Sequence, residues 1–251
     1  MRFVVAAATG VLIACPVAHA RNGGRSSVAG KRATCTLTWA LICLGALIVQ
    51  GGCRAPTPTE DLFKAALDGN DAQARRDIGQ GADVQAWNSD NNTPLMVAVK
   101  AGSVNVVKTL IKAGARVNDR GEYGDTPLIM AAEDENPTVI SLLLASGADI
   151  SAKQTGSTRS TALLEAAMLD KRASAQVLIS AGADINVTSA TGYTPLLWAA
   201  HNGDVALTKA LLDAGADINS KGGGFYTPFT AAKLHDHADE VEFIVERGGH
   251  A

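Results

Sequence analysis

Beyond Cys53 this chain has no cysteine at all: its four, Cys15, Cys35, Cys43 and Cys53, all fall in the first quarter of 251 residues. A thiolate metal site or a disulfide framework is therefore excluded from the rest of the chain. The same absence leaves no thiol there to mispair in an oxidising compartment. Aromatic residues make up only 4%, too few for one thick core of this size. The 25 glycines and the many alanines point instead to thin layers packed closely together. Acidic residues are missing before Glu60, and the first 53 residues carry Arg2, Arg21, Arg25, Lys31 and Arg32. From Arg54 onward the balance reverses, with 17 Lys and Arg against 25 Asp and Glu. Clustered Lys and Arg are what a phosphate backbone attracts, so nucleic acid is not expected as a partner.

Two apolar runs precede the acidic body, at residues 3–18 and 37–49. Both fall short of the roughly 20 residues a membrane-spanning helix needs. Each has a basic lead and a small-residue exit, the layout of a secretory signal. The first ends near Ala18-His19-Ala20. The second ends in Gln50-Gly51-Gly52-Cys53 and resembles a bacterial lipoprotein signal, although Gln50 stands where such signals favour Leu. That resemblance implies lipidation of Cys53 as the mature N-terminus. Residues 54–59, rich in Pro and Thr, then read as a non-helical tether. Two signals in series suggest translation from Val28, with cleavage after Ala20 or an uncleaved anchor as the alternatives. The expected divisions are an export segment 1–53, a linker 54–59 and a folded domain 60–251.

Within that domain one unit recurs. Gly-Ala-Asp and its variants begin at Gly81, Gly114, Gly147, Gly182, Gly215 and Gly248. Thr-Pro-Leu or a close variant begins at Thr93, Thr126, Thr161, Thr194 and Thr227. Both markers share a period of 33 residues, and both skip to 35 in the same unit; such self-similarity is the mark of a solenoid. Six units follow, near 60–92, 93–125, 126–160, 161–193, 194–226 and 227–251. Thr suits an N-cap, and Pro at the first helical position loses no hydrogen bond. Leu95, Leu128, Leu163, Leu196 and Phe229 then begin an apolar face continued by Ala131-Ala132, Ala166-Ala167 and Ala199-Ala200. A turn leads to a second helix with a buried stripe such as Val106-Val107 and Leu110-Ile111. Glycine closes that helix in a left-handed conformation, and a segment such as Ala183-Asp184-Ile185-Asn186 is expected to run extended into a loop.

Thr-Pro-Leu-x-x-Ala-Ala, a Val-x-x-Leu-Leu-like run and Gly-Ala-Asp-Ile-Asn together resemble the ankyrin repeat. The resemblance implies an all-α solenoid of about six helix-turn-helix units joined by hairpin-like loops. Its end units serve as caps; Asp77 stands in the first where other units have Leu, and that unit is expected to fray first. One departure is the family's His after Thr-Pro-Leu, replaced by Met96, Ile129, Leu164, Leu197 and Thr230. Its loss should weaken hydrogen bonding between neighbouring turns. The resemblance also implies protein binding through loop tips and the exposed side of the inner helices. On the loops those positions are Trp87, Asn88, Asp90, Arg120, Glu122, Tyr123, Thr188, Tyr193, Lys221, Phe225 and Tyr226. On the inner helices they are Val97, Met130, Glu165 and Trp198. Six of the chain's 11 aromatics fall in this set, and Tyr, Trp and Arg dominate binding energy at interfaces. Tyr193 and Tyr226 have the second reading of covering neighbouring helix starts.

Signals for chemistry are faint. His235-Asp236-His237 has adjacent ligands and no distant partner, and Glu133-Asp134-Glu135 reads as a solvated helix end. Gly222-Gly223-Gly224 lies in a repeat loop and not after a strand, which a phosphate loop requires. Layers that contact only their neighbours leave no deep, dry pocket. The expectation is a non-enzymatic, monomeric binding protein without metal or cofactor, held in the cell envelope through at most a lipid anchor. A secreted effector acting on host proteins, or an accessory or immunity-like factor for an envelope or stress enzyme, are the rival roles.

Overall fold

A computed structural model describes residues 56–156, 158–224 and 226–250. The export segment and Cys53 lie outside the described residues, as does Phe225. The described chain contains twelve helices and no strand. In chain order they are α1 (Pro58–Leu67), α2 (Asp71–Gly79), α3 (Pro94–Lys100), α4 (Val104–Lys112), α5 (Pro127–Glu133) and α6 (Pro137–Ala145). The second half follows as α7 (Ala162–Met168), α8 (Arg172–Ser180), α9 (Pro195–Asn202), α10 (Val205–Asp213), α11 (Pro228–Leu234) and α12 (Ala238–Glu246). Odd-numbered inner helices pack on one another in chain order and the even-numbered outer helices do likewise. The result is a six-unit solenoid.

The inner helices begin where the threonines require. Thr93, Thr126, Thr161, Thr194 and Thr227 are extended, and each hydroxyl accepts the N–H three residues on at 3.2–3.4 Å. A cap of this kind contributes about 1 kcal/mol. The first unit departs from the others. Thr57 caps α1, and the Glu60 carboxylate reaches back to the Thr57 N–H at 2.7 Å. Residues 57–59, expected in the tether, are therefore part of the fold: a Thr-Pro start and a glutamate at the third helical position form a capping box.

Leu95, Leu128, Leu163 and Leu196 are fully buried with the alanine pairs behind them. Small side chains let consecutive inner helices approach closely. Outer helices contribute Val106, Val107, Leu110, Leu207 and Leu211. The sixth unit rests on a smaller, separate core of Leu197, Ala200, Ala231, Ala232 and Ile244. In the first unit Asp77 is buried; Gln73 donates to one carboxylate oxygen at 2.6 Å and the other has no partner. A leucine site filled by a half-satisfied acid suits an end layer.

The missing histidine does not leave the turns untied. Met96, Ile129, Leu164 and Leu197 are core residues, and a side-chain amide four residues after the turn glycine supplies the ties instead. Gln85 donates to Gly114 O at 2.6 Å and accepts from Arg116 N at 3.2 Å. Asn118 donates to Gly147 O at 3.0 Å and accepts from Asp149 N at 2.8 Å. Asn186 and Asn219 accept from Asp217 N and His250 N. Ser151 occupies this place in the third unit; it bonds only to Asp149 in its own turn, so the ladder skips one joint. The segment around Ile185-Asn186 is a turn closed by Asp184, not an extended run. Other ties between layers are Asp71 with Thr109, Asp204 with Arg172 at 2.7 Å, and Asp213 with Arg247.

Candidate binding face

Each of the first five units sends out a finger whose ends are joined by a backbone bond. Asn88 donates to Asn92, Gly121 to Asp125, Gln154 to Ser160, Ser189 to Tyr193 and Gly222 to Tyr226, all at 2.9–3.0 Å. A tight turn bond lies inside three of them, Asn91 to Asn88, Gly124 to Gly121 and Gly192 to Ser189, and the loops stay hairpin-like without making a strand. Later fingers also join each other: Thr155 N–H donates to Tyr123 O at 3.2 Å, Ala190 to Thr158 at 2.9 Å and Gly223 to Thr191 at 3.0 Å. A side chain at Gly223 would place its Cβ 2.2 Å from Thr191 O, so this approach needs glycine. The lengthened loop of the third unit joins its neighbours on both sides and forms the centre of the row.

Several expected contact residues hold the fingers in shape. The Asn88 side chain accepts Asp90 N and Asn92 N at 3.0 and 2.9 Å. Arg120 donates to Lys153 O at 2.6 Å and to Gly124 O at 3.3 Å, clamping two fingers together. Tyr193 is half-buried with its ring 5.0 Å from Trp198. Others face water: Trp87 is 45% exposed, Tyr123 67% and Tyr226 38%. Asp90, Glu122, Thr188 and Lys221 are exposed beside them. Trp198 is half-buried between Tyr193 and His201.

Two inner-helix positions are corrected. Met130 and Glu165 are 3% and 4% exposed, so neither can offer a surface anchor. Met130 tucks beneath the second finger, against Gly121. Glu165 lies at the finger base, where Ser160 hydrogen-bonds its carboxyl. In a helix of about two turns the fourth position after the cap faces the finger, and the seventh, one turn on, lies further out, exposed at the two ends of the solenoid and half-buried between them. That later row reads Lys100, Glu133, Met168, His201 and Leu234, and Leu67 holds the same repeat register in the longer first helix. Leu67 is 67% exposed and Leu234 63%. The repeat register contained this signal, because the row follows each Ala-Ala pair or its equivalent.

The face is chemically graded along the solenoid. Near the first finger a groove of about 540 Å3 is lined by Phe63, Leu67, Val97, Lys64 and Lys100, with Asp90 at its rim. At the centre sits a carboxyl group of a different character. Burial pushes Glu133 up to about 7, helped by Asp125, Glu165 and Asp134 and opposed by Lys100. Burial also raises Glu165, with Ser160 pulling the other way. Glu133 is thus more than a solvated helix end. The far end carries a run of rings from Tyr193 through Trp198 and His201 to His235. His201 is the distant neighbour that sequence inspection did not supply for His235 and His237. Still, no group of three or more His, Cys, Asp or Glu among the described residues converges as a metal site. No helix among the described residues is long and apolar enough to cross a membrane.

Stacked helix pairs with a row of tied fingers and an open inner face define a repeat scaffold for binding proteins. The family described as ankyrin repeats (3 copies) matches residues 62–154 and 163–250. This chain belongs to the ankyrin-repeat family. No curated protein matches it. Among solved structures it is similar to an ankyrin repeat domain from Acinetobacter baumannii AYE, with 27% identity and a TM-score of 0.68 over 75% of this chain and 98% of that one. It is also similar to the ankyrin repeat domain of Bcl-3, a member of the IkappaB family, with 27% identity and a TM-score of 0.69 over 76% and 86%. A third similar chain comes from the complex of the Bd0816 predatory endopeptidase of Bdellovibrio bacteriovorus with immunity protein Bd3460. There identity is 25% and the TM-score 0.68, over 75% of this chain and 98% of that one. Ankyrin repeats are protein–protein interaction modules, and the fold is typically non-catalytic.

Proposed function

We propose that this protein is a non-catalytic docking module of the bacterial cell envelope, gripping one partner protein with its finger tips and the last turns of its inner helices. The observation that carries this reading is the alignment of exposed apolar and aromatic side chains, Leu67, Trp87, Tyr123, Tyr226 and Leu234, on a scaffold whose backbone is already tied. Such preorganisation reduces the entropy lost on binding. Cys53, lipidated, would tether the module to the membrane. Capture from envelope extract with the full chain tests the face: a Trp87→Ala/Tyr123→Ala variant should lose the partner that the wild type retains. Equal recovery by both baits would refute the assignment. Lipid labelling lost in Cys53→Ala tests the tether separately.

A second reading, an immunity-like factor that blocks an envelope enzyme, is favoured by one observation. A chain from a complex between an endopeptidase and an immunity protein shares the fold along nearly its whole length. A captured partner that is a hydrolase, and is inhibited by the full chain, would select this role. The effector role has no such observation behind it.

A further inference from the structure

We propose that His201, His235 and His237 form a proton-sensitive joint that loosens the sixth unit from the fifth as the pH falls through the imidazole range. The three side chains come from three places: the last turn of α9, the C-cap of α11 and the N-cap of α12. Folding brings the His201 and His235 ring centroids within 3.9 Å, with His237 6.2 Å further along. His237 Nε2 lies 2.9 Å from the His201 carbonyl oxygen. Because that oxygen only accepts, Nε2 carries the proton and donates across the joint. The His237 ring is pressed against the fifth unit, where a Cβ on Gly203 would meet it at 2.6 Å. What else holds the sixth unit is a five-residue core, the Asn219–His250 tie and the exposed Arg247–Asp213 pair.

The charges around the rings compensate imidazolium only weakly. Asp204, at the N-cap of α10, is already paired with Arg172 of the fourth unit. On α12, burial raises the Glu240 carboxyl against the pull of His237 and of Thr208, whose hydroxyl faces it outside hydrogen-bonding geometry. Burial thus weakens Glu240 as a counter-ion by favouring its neutral form. Lys233 on α11 and Asp236 and Glu242 beside the rings are exposed to water, where screening weakens them. From α9 the neighbour is uncharged Trp198. Burial first, then His235 and His237, hold His201 below the ordinary imidazole value of 6.5. A group depressed in the folded state stabilises it above the unfolded value, and that stability is lost as the pH falls. Acidification thus acts on one joint and not on the whole solenoid.

Amide hydrogen exchange on the full chain, corrected for the intrinsic rate at each pH, tests this. Between pH about 7.5 and about 5.5, protection in α12 should fall about fivefold or more, while α4 and α6 hold theirs. Fivefold is about 1 kcal/mol, the interaction of two unit charges roughly 4 Å apart in bulk water. A His201→Gln/His235→Gln variant should lose less than about twofold. Equal loss in both proteins, or equal loss in all six units, would overturn the proposal. An NMR titration of His201 in the unaltered protein gives a second check, independent of how the variant folds. A midpoint at or above about 6.5 would overturn it as well.

Discussion

Glu133 offers the sharpest test of the inner face. Its carboxyl is raised from an ordinary 4.5 to about 7, chiefly by burial and then by Asp125, Glu165 and Asp134. Between those two values the folded chain holds a proton that the unfolded chain has released. Stability therefore falls as pH rises from about 4.5 to about 7 and levels off above. For a group sealed from water the gap corresponds to ~3 kcal/mol. Glu133 is only part-buried, and solvent screening brings the expected cost to ~1 kcal/mol. Glu133→Gln keeps the shape of the protonated acid and cannot ionise. Its advantage over the wild type should be near zero at pH 4.5 and grow to ~1 kcal/mol at pH 8. Urea unfolding of both proteins at matched pH values reads this difference, so that general acid effects cancel. A difference that stays constant with pH, or a variant less stable at pH 8, would refute the reasoning.

Ser151→Asn should complete the amide ladder at the joint between the third and fourth units and add ~1 kcal/mol in denaturant unfolding; no gain would mean that this turn differs from its neighbours. Gly182 has φ 84° with open space around its missing Cβ. Gly182→Ala should therefore cost ~1 kcal/mol through backbone strain alone, and a thermal scan showing no loss would contradict that. The first unit, with a half-satisfied buried Asp77 and one neighbour, should exchange its α2 amides faster than α4 or α6 at neutral pH. Finding α2 the best-protected helix would reverse this.

The limits of sequence reading lie in direction and not in identity. Thr126-Pro127 and Thr194-Pro195 open equivalent helices, as their residue chemistry requires, because an N-cap and a proline act within one turn of chain. The 33-residue period, the glycine closures and the buried leucines rest on equally local rules. The position of the binding face does not. Val97, Met130, Glu165 and Trp198 share a register place, yet two are half-buried and two are covered by their fingers. Whether a side chain on a two-turn helix meets water depends on the loop folded over it, and the loop's path depends on neighbouring fingers.

The sequence by itself determined the helix-pair unit, its number and its order, since capping, periodicity and turn chemistry act over a few residues. Tertiary stacking alone decided the rest. It swung Arg120 and Asn88 from surface to scaffold, moved the open row one turn along to Leu67 and Leu234, and lifted the Glu133 carboxyl among its neighbours. It also set His201 against His235, 34 residues apart in sequence. Each of these outcomes depends on distances between layers, and no local rule of the chain contains such a distance.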